Sequence, residues 1–274
     1  MKNTNRRLTS IIIAAAIVAI LIAIYLSGAL LPEDALRADF SQKFRPPSLN
    51  HPFGTDYLGR DMFVRTIKGL SLSLTIGAIA SVISAIIALI VGTTAALGKG
   101  IIDHAINWFI DVFMSVPHTV LLILISIALA QGAMGLLIGI ALTHWASLAR
   151  LVRAEVLQIR DQQFVMAARR FGKSPLWIAR KHILPHVLPQ FFVGLILEFP
   201  HAIMHESGLT FLGFGMPPEQ PAVGIILSES MRYISAGAWW LVVFPGAALV
   251  VLVVLIEALG TTVRRLFEPR QAQM

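Results

Sequence analysis

The chain has no cysteine, which excludes a disulfide framework, a thiol nucleophile and a thiolate metal site together. Charge is scarce as well. Only 14% of the 274 residues are Asp, Glu, Lys or Arg, and 56% are apolar, whereas ordinary soluble domains run to about 25% charged and about 45–50% apolar. With a mean hydropathy of +0.76, the chain reads as an integral membrane protein. A nucleotide-binding loop is also missing. The stretch "GTTAALGKG" puts five residues between Gly92 and Gly98 and no Ser or Thr after Lys99, whereas a phosphate-binding loop needs four and a hydroxyl residue. His205-Glu206 lacks the second histidine of a zinc-protease helix, and no Gly-x-Ser-x-Gly elbow occurs. ATP hydrolysis is therefore excluded for this chain, and an enzyme has little to stand on.

The formal net charge is +7. Because the bilayer core tolerates few charges, that excess belongs in the connections, where it meets anionic lipid or an acidic partner rather than nucleic acid. Apolar runs long enough to cross, at about 20 residues per span, lie near residues 8–31, 70–97, 105–130, 133–149, 187–204 and 238–263. The first follows Lys2, Arg6 and Arg7 and exceeds the 7–15 residues of a signal-peptide core, so it reads as a retained helix. Six spans leave both termini on one side. Arginines and lysines at the two ends, together with Arg150, Arg153, Arg160, Arg169, Arg170, Lys173, Arg180 and Lys181 between spans four and five, make that side cytoplasmic. The first outer loop counts mildly against this orientation, with Arg37, Lys43, Arg45, Arg60, Arg65 and Lys68 beside its carboxylates. Pro117, Pro200 and Pro245 fall in or at the edges of spans, where they kink helices.

Ionisable groups inside spans are costly unless they face protein or water. Glu198, His144 and Glu257 qualify, either as a polar pathway or as interhelical hydrogen bonds. His201 and His205 share a helix face at i and i+4, beside Met204 and Glu206. Imidazole, thioether and carboxylate together suit a borderline transition metal such as nickel; two interfacial histidines bonded to backbone are the plainer reading.

The segment "MAARRFGKSPLWIARKHILPHVLP", residues 166–189, has a shape but no chemistry of its own. Phe164, Ala168 and Phe171 fall on one face of a short amphipathic helix, with Gly172 as its stop. Ser174 caps a second short helix with Pro175 at its first position, and Leu184-Pro185 ends it before the next span. The expectation is a rigid helix-turn-helix.

That segment resembles the Glu-Ala-Ala loop of bacterial binding-protein-dependent ABC importer permeases, through Ala167, Ala168, Gly172, Leu184 and Pro185. Met166 stands where the family has Glu and His182 where it has an apolar residue, so a salt bridge from the first position is not carried over. "HPFGTDYLGRDMFVR", "ESGLTFLGFGMPPEQPAVG" and "FPGAALVVLVVLIEALGTTVRRLFEPR" resemble, in order, the dipeptide, oligopeptide and nickel permease group in its second-permease branch. The histidine pair just before "ESGLTFLGFG" is closer in look to the nickel permeases.

The resemblance implies an all-α, six-helix membrane protein of the type I ABC importer permease fold. Its parts would be a tail and first helix (1–31), an external loop (32–69), a permease core (70–263) containing the coupling loop (151–189), and a cytoplasmic tail (264–274). It implies a bacterial inner-membrane protein that binds no cofactor itself. Its partners would be a homologous second permease, two ATPase subunits that use ATP and Mg, an external or periplasmic solute-binding protein, and lipid. Ala167, Ala168, Gly172, Ser174, Pro175, Leu184 and Pro185 would couple to the ATPase. Glu198, His201, His205 and Glu206 would line the substrate path, with His201 and His205 as candidate metal ligands. The cargo would be nickel or a metal-chelate, with dipeptides or oligopeptides as the alternative. An ion-coupled transporter relaying protons through Glu198, Glu257 and His144 is a weaker fit, because no paired internal repeat or second copy of the loop is present. A membrane scaffold would leave the intramembrane charges without a role.

Overall fold

A computed structural model describes residues 2–98, 100–129 and 131–267, and residues 268–274, most of the expected tail, lie outside the described part. The described residues form helices and connections, with a lone Thr55–Asp61 bridge in the first loop. In chain order the helices are α1 (Lys2–Leu30), α2 (Met62–Leu97), α3 (Ile101–Ser115), α4 (His118–Ala128), α5 (Gly132–Arg160), α6 (Gln163–Arg170), α7 (Pro175–Ile178), α8 (Leu184–Phe211), α9 (Val223–Ser230) and α10 (Trp240–Phe267).

Among the described residues five helical runs are long and apolar enough to span a membrane, and α3 and α4, bent by 90°, reach that length and apolarity only as a pair, which makes six spans if the pair counts as one. Alone, the 11 residues of α4 rise only about 16 Å against a hydrocarbon core of about 30 Å. The break falls at Val116, which is extended, and Pro117, the residue before α4. A proline disfavours helical backbone in the residue before it, which is why the run breaks there. The kink expected at Pro117 is thus a sharp break between two helices. The other spans outrun their expected limits, because helix continues past the hydrocarbon into charged ends. α2 begins at Met62 rather than near 70, with the Asp61 carboxylate capping the Val64 amide at 3.0 Å, so the preceding loop ends earlier than expected.

α2 runs through the middle of the bundle. Gly69, Ser73, Gly77, Ser81, Ala85, Ala88, Gly92 and Ala96 form a buried ridge of small residues along it. That ridge lets neighbouring backbones approach closely. At Gly92 an added Cβ would sit 2.5 Å from the Ala149 carbonyl of α5. α1 lies outermost, packed on α2 and α10 and tied to α2 by the Ser71 hydroxyl donating to the Tyr25 carbonyl at 2.9 Å.

At the end carrying residues 32–61, Arg65 reaches Asp56 at 2.7 Å and Glu229 at 2.9 Å, while Arg60 reaches the same two carboxylates at 2.7 and 3.2 Å. Two of the loop cations that argued against the expected orientation are therefore neutralised in place. At the opposite end Arg153 grips Asp103 through two 2.8 Å bonds, and Arg160 donates to the Ala96 carbonyl at 2.8 Å. These arginines fasten α5 to α3 and α2.

Candidate functional site

The α6–α7 element projects from this second end. Lys173 N–H donates to the Ala168 carbonyl at 3.1 Å and Gly172 N–H to the Arg169 carbonyl at 3.0 Å. This reciprocal pair closes α6 with Gly172 in the left-handed region at φ +72°. Ser174 accepts from the Trp177 amide at 3.3 Å and Pro175 opens α7. The turn is thus made by the residues expected to make it. Val165, Ala168, Ile178, Ala179 and Ile183 pack into the core beside Val152 and Val156 of α5, which holds the element as a rigid body.

Two details differ from the sequence expectation. Phe164, Ala168 and Phe171 do not share a buried face: Val165 and Ala168 turn inward, Phe164 rests against the rings of His182 and His186, and Phe171 is 82% exposed. Val165 and Ala168 define the buried face, and 164 and 171, about 40° and 60° around the helix from Ala168, fall on its rim. Nor does Leu184-Pro185 end the second helix. One π turn, Ala179–Ile183, widens the backbone just ahead of Pro185, and the helix runs on into α8. A proline ring clashes with the carbonyl four residues back in a regular helix, and the π turn relieves that clash. Leu184 is half-buried, while Ala167, Gly172, Ser174, Pro175 and Pro185 are exposed. Phe171, Leu176 at 64% exposure and Trp177 present an apolar surface ringed by Arg169, Arg170 and Lys173.

A second group lies inside the bundle. His118 at the start of α4, His144 of α5 and His205 of α8 bring one ring nitrogen each to within 4.8 Å of one another. Ring centroids are 4.6 Å apart for His118–His144 and His118–His205, and 5.2 Å for His144–His205. The sequence pairing of His201 with His205 gives way to one in which only His205 takes part; His201 is exposed on α8. His118 was missed in the sequence, and the one signal for it was its place beside Pro117.

Glu206 is fully buried. Its carboxylate accepts from Ser73 at 2.6 Å, Ser207 at 3.0 Å and Thr210 at 3.3 Å, joining α8 to the small-residue ridge of α2. Glu198 is half-buried on α8 at the same angular position as His205 two turns on, and Glu257 is exposed on α10. A cavity of about 710 Å³ opens at the end opposite α6–α7, lined by Thr210, Gln131, Gly132, Tyr57, Glu229 and Arg232 among others. Its wall includes Thr210 of α8 and the α4–α5 turn at Gln131 and Gly132; His205 lies about one turn back along α8. Burial, and then the nearby Glu229 carboxylate, raise the Tyr57 phenol above its ordinary pKa of 10.0, so it stays a neutral donor at this mouth.

Residues 86–273 match the family described as binding-protein-dependent transport system inner membrane component. The chain belongs to that family. It is 32% identical over 239 residues to the dipeptide transport system permease DppC of Bacillus subtilis, covering 87% of this chain and 75% of the relative. It is 38% identical over 228 residues to a putative peptide transport system permease of Brucella suis, covering 83% and 76%. Among solved structures it resembles the inward-facing MetNI methionine ABC transporter, with a TM-score of 0.62, 20% identity, and 75% of this chain and 97% of that one covered. This family member is thus a multi-pass permease subunit of an ABC importer with the type I fold, seated in the inner membrane of bacteria and lacking an ATPase site of its own. Importer permeases of this kind work with ATPase and substrate-binding partners.

Proposed function

We propose that this permease pairs with a homologous second permease and docks α6–α7 into a groove on one of two ATPase subunits, which consume ATP and Mg. The observation that carries this reading is the coupling element itself: a turn fixed by Gly172 and Ser174, anchored by Ala168 and Ile183, and presenting Phe171 and Leu176 outward. Such a body transmits displacement without deforming. Both termini and α6–α7 are cytoplasmic in this reading, supported by the exposed Arg169, Arg170, Lys173, Arg180 and Lys181. An external solute-binding protein then delivers cargo to the end with the 710 Å³ cavity.

Closure of the ATPases would move α6–α7, and with it α8, since α7 continues into α8 as one helical run. The cargo we favour is nickel or a metal-chelate, supported by the imidazoles on α4, α5 and α8. Dipeptide or oligopeptide import is the second reading, favoured by the names of the relatives.

Co-purification tests the docking. An ATPase retained by the parent chain and lost after Gly172→Asp plus Ala168→Asp supports it; an undisturbed complex sinks the assignment of the coupling element. Uptake of labelled nickel and of a labelled dipeptide by cells with the whole transporter separates the two cargoes.

A further inference from the structure

Resting on the importer reading, we propose that His118, His144 and His205 form a three-imidazole transit site for a borderline divalent cation, carried as cargo either free or as a chelate. Three observations point to a ligand rather than to packing. The first is convergence: histidines 26 and 61 residues apart in sequence, on three different helices, each bring a ring nitrogen to within 4.8 Å of the other two. The second is orientation. His144 is only 7% exposed and its Nδ1 bonds the Ile140 carbonyl at 3.0 Å. A carbonyl only accepts, so Nδ1 carries the proton and the lone pair sits on Nε2. The third is that Nε2 of His144 and Nε2 of His118 are both buried with no hydrogen-bond partner in the protein. Buried polar atoms are rarely left so without a reason.

The ligand set defines the guest. Imidazole nitrogen without carboxylate or thiolate favours nickel, copper or zinc and disfavours magnesium and calcium. Three ligands leave coordination positions for water or for a chelator's own donors. Around an ion with bonds of about 2.1 Å, three nitrogens lie roughly 3.4 Å apart. The separations here, all within 4.8 Å, therefore close by at most about 1.4 Å to grip an ion. His205 can supply that movement, because α8 continues from α7 as one helical run while His118 and His144 sit on α4 and α5. The site would tighten and loosen as the coupling element moves. Holding weakly enough to release is what a conducting path requires.

The test is equilibrium dialysis of Ni²⁺, alone and as its bis-histidine chelate, against the purified full chain and against the assembled importer, both in lipid nanodiscs. X-ray absorption of the parent loaded with Ni²⁺ alone, without chelator, gives the count of protein imidazoles. The expected results are two or three imidazole ligands and an affinity at least tenfold weaker in His118→Gln and in His144→Gln, with His104→Ala unchanged. Monodispersity and ATPase co-purification show that the variants fold. Fewer than two imidazoles on nickel in the parent overturns the site without recourse to any variant, as does equal affinity in parent and variants. If no ATPase accompanies the parent chain, the importer reading falls separately, and dialysis of the chain alone still decides the site.

Discussion

Pro175, the first residue of α7, and His205, near the far end of α8, belong to one helical run, Pro175–Phe211, of 37 residues. Thirty residues of helix rise about 45 Å. A displacement applied at Pro175 would thereby be carried along α8 to an imidazole inside the bundle, as the proposed coupling requires. The predictions below test the parts of that lever.

The turn just ahead of the lever is fixed by Gly172, at φ +72° with nothing within 4 Å of an added Cβ. Only backbone strain opposes a side chain there, about 1–2 kcal/mol for an ordinary L-residue. Gly172→Asn, which tolerates this conformation, should keep most transport and ATPase binding, whereas Gly172→Val should lose both severalfold. Equal behaviour of the two variants in uptake and co-purification would show that the backbone conformation is irrelevant.

A close seam of the bundle is α2 against α5 at Gly92, where an added Cβ would meet the Ala149 carbonyl at 2.5 Å. Gly92→Val should force the helices apart and cost about 1–3 kcal/mol, the usual range for overpacking. A lowered apparent Tm of the detergent-purified protein checks this, and an unchanged Tm would place the close approach elsewhere.

Arg65, 3% exposed, is held between Asp56 and Glu229. Arg65→Ala strands both carboxylates with only Arg60, and breaking such a buried pair costs about 3–5 kcal/mol. Arg65→Met combined with Asp56→Asn should recover part of that loss in the same thermal assay. No recovery in the double variant would mean that the charges are not the source of the loss.

Glu206 joins three hydroxyls in a buried network. Glu206→Ala leaves those groups without their acceptor, at about 1–3 kcal/mol, while Glu206→Gln keeps one acceptor oxygen and should be milder. If Glu206→Gln instead abolishes uptake with stability unchanged, the carboxylate contacts cargo directly.

Much of this was legible in the sequence because it is local. Gly172, Ser174 and Pro175 specify their turn through backbone preferences that need no distant partner. The apolar runs mark the spans for the same reason, since each must satisfy the bilayer by itself. What was not legible depends on meetings between distant segments. His118 and His144 are separated by a whole turn of the chain and join His205 only once α4, α5 and α8 pack. The inward face of α6 is decided by the position of α5, so Val165 took the place expected of Phe164 and Phe171. The continuity of α7 into α8 rests on a π turn, for which Pro185 alone gives no signal beyond a break. Arg153 and Arg160 read as topology charges, and only the fold shows them gripping Asp103 and Ala96.

The absence of native cysteine makes the most direct measurement a clean one. Single cysteines at exposed positions of opposite ends, Leu176→Cys and Leu49→Cys, can be cross-linked to the co-expressed ATPase in membranes. The account predicts a cross-linked product from Leu176→Cys, with a yield that changes on adding ATP, and none from Leu49→Cys. A product from Leu49→Cys and none from Leu176→Cys would contradict both the docking surface and the orientation of the chain.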